Sequence, residues 1–468
     1  LRPPSAKVIS GNIEIAGQFH ADLSRHAIQW NKIRGTVLSM IFQDAQLALN
    51  PMMTVREHFR DVLLFHKAAS EQEITPLASE LLRLLNFTDI DRVLASYPFQ
   101  LSGGMCQRVC IALSLCLKPS VLIADEPTSA LDSVSQKEVL DVLKNVQNEL
   151  ALSVLFITHD IAVANSVSER VIVLNKGIVA ERGVTREVLS APQTSYTRKL
   201  LEARESINEP FDIPPSNSEP VLEIIGLGKC YSKSQNVLSD LTLSLREREI
   251  VGVLGQSGCG KSTLAKCLTG VERPTSGTIL FRGKDISMLY GKARREICRH
   301  IQIVFQDARA SLNPRYTALQ LVQEPMNYLH IGLSSERREK ARFYLNQVGI
   351  DNNAQNRRPP RLSTGQCQRI AIARALILEP DILICDEAVS ALDMQVQAQI
   401  LSLLRQLHEQ FRFSILMISH DIRVMRIFCH KIAVMKDGCF SEVGSADMIT
   451  ADSPNPSTRL LLACELSI

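Results

Sequence analysis

Two distant stretches of this chain of 468 residues repeat one another, and that repetition narrows the possible folds more than any other feature. Ser39-Met40-Ile41-Phe42-Gln43-Asp44, followed by Leu49-Asn50-Pro51, returns as Ile303-Val304-Phe305-Gln306-Asp307, followed by Leu312-Asn313-Pro314. Leu101-Ser102-Gly103-Gly104 returns as Leu362-Ser363-Thr364-Gly365, Asp125-Glu126 as Asp386-Glu387, and His159-Asp160 as His420-Asp421. The later pairs keep one offset of about 261 residues, far beyond the period of stacked repeats, so the chain is a domain duplication. The expected division is a first domain over 1–204, a linker over 205–220 and a second domain over 221–468. Pro210, Pro214, Pro215 and Pro220 interleave with Ser, Asn and Glu in the linker and predict a semi-extended tether.

The halves are unequal. Ser276-Gly277-Thr278-Ile279 aligns with Ser10-Gly11-Asn12-Ile13, so the segment from Val221 to about Thr275 has almost no counterpart in the first half. Removing a central strand leaves its neighbours unpaired and apolar surface bare. That cost favours reading the sequence as a piece of a longer chain over reading its first half as a decaying domain.

Composition supports folded α/β domains, with 45% apolar, 5% aromatic and 22% charged residues. The net charge of +3, without a basic run, points to no nucleic-acid or anionic-lipid partner. No apolar stretch reaches 18 residues and no signal segment opens the sequence, which suggests a cytoplasmic protein. The twelve cysteines are scattered without Cys-x-x-Cys pairs, and Cys110, Cys116, Cys385 and Cys429 lie in apolar runs that predict buried free thiols.

The second half carries a strand-like run, Ile250-Val251-Gly252-Val253-Leu254, that enters Gly255-Gln256-Ser257-Gly258-Cys259-Gly260-Lys261-Ser262-Thr263 and then a helical Leu264-Ala265-Lys266. Strand, glycine-rich turn and helix form the context of a phosphate-binding loop. Backbone N–H groups of such a loop converge on phosphate oxygens, Lys261 neutralises charge, Ser262 can ligate Mg²⁺, and the helix N-terminus adds its dipole. Because Cys259 lies inside the loop, its alkylation is expected to block nucleotide binding, and bound ATP is expected to protect it. A second strand, Ile382-Leu383-Ile384-Cys385, ends in Asp386 as a metal-shell carboxylate and Glu387 as the group that orients or deprotonates water. A third, Ile415-Leu416-Met417-Ile418, ends at His420. A histidine at a strand end is usually an ordinary side chain, but its repetition as His159 favours contact with a phosphate.

Together these motifs resemble the ATP-binding cassette (ABC) family over essentially the whole chain. The family's LSGGQ signature stands here as Leu101-Ser102-Gly103-Gly104-Met105 and Leu362-Ser363-Thr364-Gly365-Gln366. The resemblance implies two P-loop cassettes in tandem, each a RecA-like α/β core with a helical subdomain, binding ATP and Mg²⁺. It also implies cassettes packed head to tail, with each ATP between the loop of one half and the signature of the other. One composite site would then be complete, using Lys261, Ser262, Gln306, Asp386, Glu387 and His420 with Ser102, Gly103 and Gly104 from the first half. Gln306 would join Ser262 and Asp386 around the metal, and Tyr231 would stack on adenine. Glu126 and His159 would attend the opposite, defective site, where Thr364 replaces a glycine.

The Leu-Asn-Pro after Gln43 and Gln306, the tails Tyr196-Thr197-Arg198-Lys199-Leu200-Leu201 and Thr458-Arg459-Leu460-Leu461, and the two signature contexts are similar to the paired ATPases of oligopeptide, dipeptide and nickel importers. The implied function is an ATP-hydrolysing subunit that energises uptake through membrane permease subunits fed by an external binding protein. It would sit at the cytoplasmic face of the membrane. Residues 51–100 and 315–361, opened by Gln43 and Gln306, would meet the permeases, although Leu77, Leu81, Leu82, Leu84 and Leu85 also suit a plain helical bundle. The rivals are a soluble tandem ATPase acting on ribosomes or DNA, whose usual charged linkers and insertions are missing here, and a remnant that cannot hydrolyse ATP.

Overall fold

Capping and period place the helices before any long-range contact does. Thr54 caps the helix Val55–Phe65 reciprocally with Glu57, and Thr317 caps Ala318–Tyr328 with Gln320 in the matching place of the second half. The computed structural model describes residues 11–15, 19–22, 33–129, 131–205, 218–232, 235–389, 392–449 and 453–464. Of the expected linker, residues 206–217 lie outside the described residues. The chain divides into two compact units, one of Leu1–Leu131 with Ser135–Ser168 and one of Asp132–Val134 with Glu169–Ile468.

In the first unit, β1 (Asn12–Ile15) pairs antiparallel with β2 (Phe19–Asp22). A parallel sheet runs in the order β3 (Leu38–Ile41), β4 (Val121–Asp125), β5 (Ser153–Ile157). The helices Val55–Phe65, Ile74–Leu84, Ile90–Ala95 and Gly103–Leu115 lie between β3 and β4 in the chain. Leu82 and Leu85 are buried in their core, and Leu77, Leu81 and Leu84 pack partly buried against it, so the apolar stripe is core-facing. Among the described residues β5 pairs only with β4. Its burial alternates between exposed and half-exposed, with Leu155 53% exposed.

The second unit opens with the hairpin β6 (Arg170–Asn175) and β7 (Ile178–Val184), then the helices Thr185–Ser190 and Ser195–Glu205. In chain order follow β8 (Pro220–Ser232), β9 (Gln235–Arg246), β10 (Ile250–Gly255), β11 (Ser276–Phe281), β12 (Lys284–Asp285), β13 (Ile301–Val304), β14 (Ile382–Asp386), β15 (Ser414–Ser419), β16 (Lys431–Lys436) and β17 (Cys439–Ser445). An antiparallel sheet runs β12-β11-β8-β9, and a mixed sheet runs β13-β14-β15-β10-β16-β17, parallel except for its last pair. Every residue of β10, β14 and β15 is buried. That explains their unbroken apolar runs, because a parallel strand covered on both faces has no polar side. Each fully buried Ile, Leu or Val there stabilises by about 1.5–3 kcal/mol relative to exposure.

The expected strands at 250–254, 382–385 and 415–418 all form within these elements. Of the four thiols expected in the core, Cys385 and Cys429 are buried, and burial pushes Cys385 up to about 12. Cys110 and Cys116 are only half-buried, a correction that follows from their places on the flank of the helix that ends near Leu115.

Candidate active site

β10 reaches its C-terminal end between β15 and β16, both parallel to it, with Val251 opposite Leu416 on one side and Lys431 on the other. The carboxyl ends of such strands, where the connections diverge, are where open parallel sheets place ligands. The chain turns there through Gly258, at φ +83, and Gly260, at φ +110. A side chain at Gly260 would also lie 2.7 Å from Leu238 Cδ2 and 3.0 Å from the Val237 carbonyl oxygen, so only glycine fits this turn. The helix Lys261–Thr269 starts directly after it, and its first N–H groups have no intrahelical partner.

Lys261 is buried, and its Nζ donates to the carbonyl oxygens of Gly255 at 2.7 Å and Gln256 at 2.9 Å. The same Nζ lies 3.6 Å from Glu387 Oε1. Ser262 Oγ donates to Asp386 Oδ1 at 3.4 Å. Loop and β14 therefore meet through two side-chain pairs, one cation to carboxylate and one hydroxyl to carboxylate.

Asp386 and Glu387 are adjacent yet pulled in opposite directions. Burial raises Asp386 above the usual carboxylate range, and the Ser262 hydroxyl only partly offsets it. Burial acts the same way on Glu387, but His420 and Lys261 outweigh it and hold that carboxyl below its usual range. His420 Nδ1 stands 3.6 Å from Glu387 Oε2, close enough for charge attraction but beyond a hydrogen bond. Glu387 occupies the left-handed region at φ 47, its N–H donating to the Ile418 carbonyl at 2.9 Å. A non-glycine residue held there costs about 1–3 kcal/mol, a cost that surrounding structure must sustain.

The first unit repeats this geometry in detail. Glu126 sits at φ 46, and its N–H donates to the Ile157 carbonyl at 2.9 Å. Glu126 Oε2 accepts from Gln43 Nε2 at 2.7 Å, and Glu126 Oε1 lies 3.1 Å from His159 Nδ1. Glu126 therefore pairs with Gln43 and His159, where Glu387 pairs with His420 and Lys261. Gln306, expected beside the metal, is exposed just beyond β13.

Tyr231, at the end of β8, is half-exposed. Its hydroxyl bonds the Glu272 carboxylate, and Lys229 Nζ lies 5.1 Å from its ring centroid. Glu272 also pairs with Lys266 at 3.5 Å and Lys229 at 3.8 Å. Lys229 and Glu272 were not foreseen, and the 41 positions that separate Tyr231 from Glu272 leave no local pattern to reveal them.

Cys259 is half-buried within the loop. Its side chain packs partly buried against the core that includes Val251 and Leu264, and burial pushes its thiol up. Each signature serine caps a helix: Ser102 Oγ accepts from the Met105 N–H at 3.3 Å, and Ser363 forms a capping box with Gln366. Ser102 and Gly103 are exposed.

Residues 5–129 and 238–390 match the ABC transporter family. The chain is 35% identical to the glutathione import ATP-binding protein GsiA of Pectobacterium atrosepticum, covering 92% of this chain and 75% of that protein. It is 35% identical to the ABC transporter ATP-binding protein YejF of Escherichia coli, covering 99% and 89%. To the peptidoglycan transport ATP-binding protein YejF of Agrobacterium fabrum it is 36% identical, covering 99% and 86%.

Proposed function

Because the chain belongs to the ABC transporter family, we propose that it hydrolyses ATP at its second cassette to energise import of glutathione, peptides or a related small solute through membrane permease subunits. The observation that carries this reading is the convergence of Lys261, Ser262, Asp386, Glu387 and His420 at the carboxyl ends of β10, β14 and β15.

Loop N–H groups and the dipole of the helix Lys261–Thr269 would bind the ATP phosphates, and Lys261 would exchange its loop carbonyls for phosphate oxygens. Glu387, kept ionised by His420 and Lys261, orients water and takes its proton. His420, 3.6 Å from Glu387 Oε2 where Lys261 stands 3.6 Å from Oε1, would contact a terminal phosphate and help polarise the water. The oxygen donors of Ser262 and the buried Asp386 fit Mg²⁺, which favours hard oxygen ligands and phosphate, with Gln306 completing the shell. Bound there, Mg²⁺ would neutralise phosphate charge. Tyr231, steadied by Glu272 and Lys229, offers its ring to adenine.

In this reading Ser102, Gly103 and Gly104, at the N-terminus of the helix Gly103–Leu115, take part in phosphate binding during turnover. The chain works at the cytoplasmic face of the membrane, and cargo choice rests with permeases and an external solute-binding protein. No described helix is long and apolar enough to cross a membrane, consistent with a subunit that works alongside membrane partners.

Glu387→Gln is expected to keep ATP binding within about threefold while lowering turnover at least 100-fold, the scale of losing a general base. Glu126→Gln should leave turnover within about twofold. Equal losses from both, in steady-state ATPase assays with equilibrium nucleotide binding, would overturn the assignment.

A further inference from the structure

The surfaces expected to meet the membrane subunits are built on one scaffold in both units yet differ in charge. In the first unit the turn 50–54 lies beside residues 95–100 because the Val55 N–H donates to the Ser96 carbonyl at 3.0 Å. In the second, the turn 313–317 lies beside 356–361 because the Ala318 N–H donates to the Arg357 carbonyl at 3.0 Å. The repeat therefore supplies equivalent pairs: Met52 with Arg315, Ser96 with Arg357, Tyr97 with Arg358, and Gln100 with Arg361.

Residues 50–54 and 95–100 contain no charged side chain. Met52 is 82% exposed and Phe99 72%, and the ring of Phe99 stacks on Tyr97 with centroids 5.6 Å apart. Residues 313–317 and 356–361 contain Arg315, Arg357, Arg358 and Arg361, all exposed, and no carboxylate, with Tyr316 as their one exposed aromatic ring. Exposed aromatic and methionine side chains on a folded surface mark a contact that excludes water. A cluster of unopposed guanidinium groups instead favours a partner rich in carboxylates, which it meets through paired hydrogen bonds.

We infer that the two cassettes discriminate between two non-identical membrane segments: the first cassette docks an apolar, aromatic-seeking segment, and the second docks a segment bearing Asp or Glu. The inference rests on the importer reading and adds the chemistry of each partner. A shared lipid surface does not account for the contrast, because headgroups would reward the same cations on both units, whereas the substitutions fall on equivalent positions of one scaffold.

The test places a photoreactive phenylalanine analogue in place of Phe99 or of Arg358 in the full chain, expressed with its cognate permease subunits, and maps the crosslinked peptides. Position 99 should capture an apolar segment and position 358 a different segment carrying carboxylates. The double variant Arg358→Glu with Arg361→Glu should lose at least tenfold of transport-coupled ATPase activity, and Glu→Lys changes in the captured segment should restore it. Capture of one and the same segment from both positions overturns the discrimination while leaving the importer reading intact. Capture of lipid at position 358, without a permease, overturns the acidic partner. Failure of both positions to capture any permease overturns the importer reading itself. Met52→Ser, which keeps the second surface unchanged, should leave the crosslink from position 358 undiminished.

Discussion

Neighbouring carboxylates at the end of β14 show how little residue type alone says about charge. Asp386 is held above and Glu387 below its ordinary range, although one peptide bond joins them and desolvation pushes both upward. A carboxyl raised on folding contributes nothing unfavourable below its unfolded value near 3.8 and destabilises progressively as pH rises through its folded value. Asp386→Asn is therefore expected to raise the melting temperature of the nucleotide-free chain at pH 7 by about 2–4 °C. The gain should vanish as pH falls below about 4, while Mg²⁺-dependent hydrolysis is lost. Calorimetry across pH checks it, and a lower melting temperature at pH 7 would mean that the Ser262 contact outweighs burial. Glu387 has the opposite sign: its lowered value adds stability above its unfolded 4.5 that is lost as pH falls through the folded value.

The same strand pattern meets different fates in the two halves. Leu416 of β15 is buried opposite Val251 of β10, whereas its counterpart Leu155 of β5 is 53% exposed, with β4 as the only strand partner of β5 among the described residues. Ala433 of β16 lies opposite Val253, whereas its counterpart Ile172 of β6 is exposed. Apolar strands with unpaired N–H and C=O groups invite pairing with another chain. Leu155→Lys should lower concentration-dependent self-association severalfold in light scattering without lowering the melting temperature. Leu416→Lys should unfold the second unit, because it buries an unpaired charge in a packed sheet. Similar tolerance of lysine at both positions would show that Leu155 is also covered.

At the scale of the molecule, the carboxylate–histidine pair recurs in both halves, as Glu126 with His159 and Glu387 with His420, and the second pair stands beside the glycine-rich turn that ends in Lys261. Glu126 and Glu387 share their backbone strain and strand-end hydrogen bond, yet among the described residues it is Glu387 that has a lysine, Lys261, beside it. Equilibrium dialysis with labelled ATP should saturate at one nucleotide per chain, and Lys261→Ala should reduce that to none measurable. A second equivalent of comparable affinity would place nucleotide at the first cassette as well.

Much of this was legible in linear order because local chemistry carries it. The phosphate loop, the buried strands at 250–254, 382–385 and 415–418, and the duplicated acid and histidine are short-range patterns, each tied to a turn or a strand end. Folding alone settled what depends on distance in space: that His420 and Lys261 divide Glu387 from Asp386, that Gln43 closes on Glu126, that Glu272 steadies Tyr231, and that the Cys259 side chain packs partly buried against the core. Desolvation and pairing are set by neighbours many residues away along the chain, and no local motif encodes them.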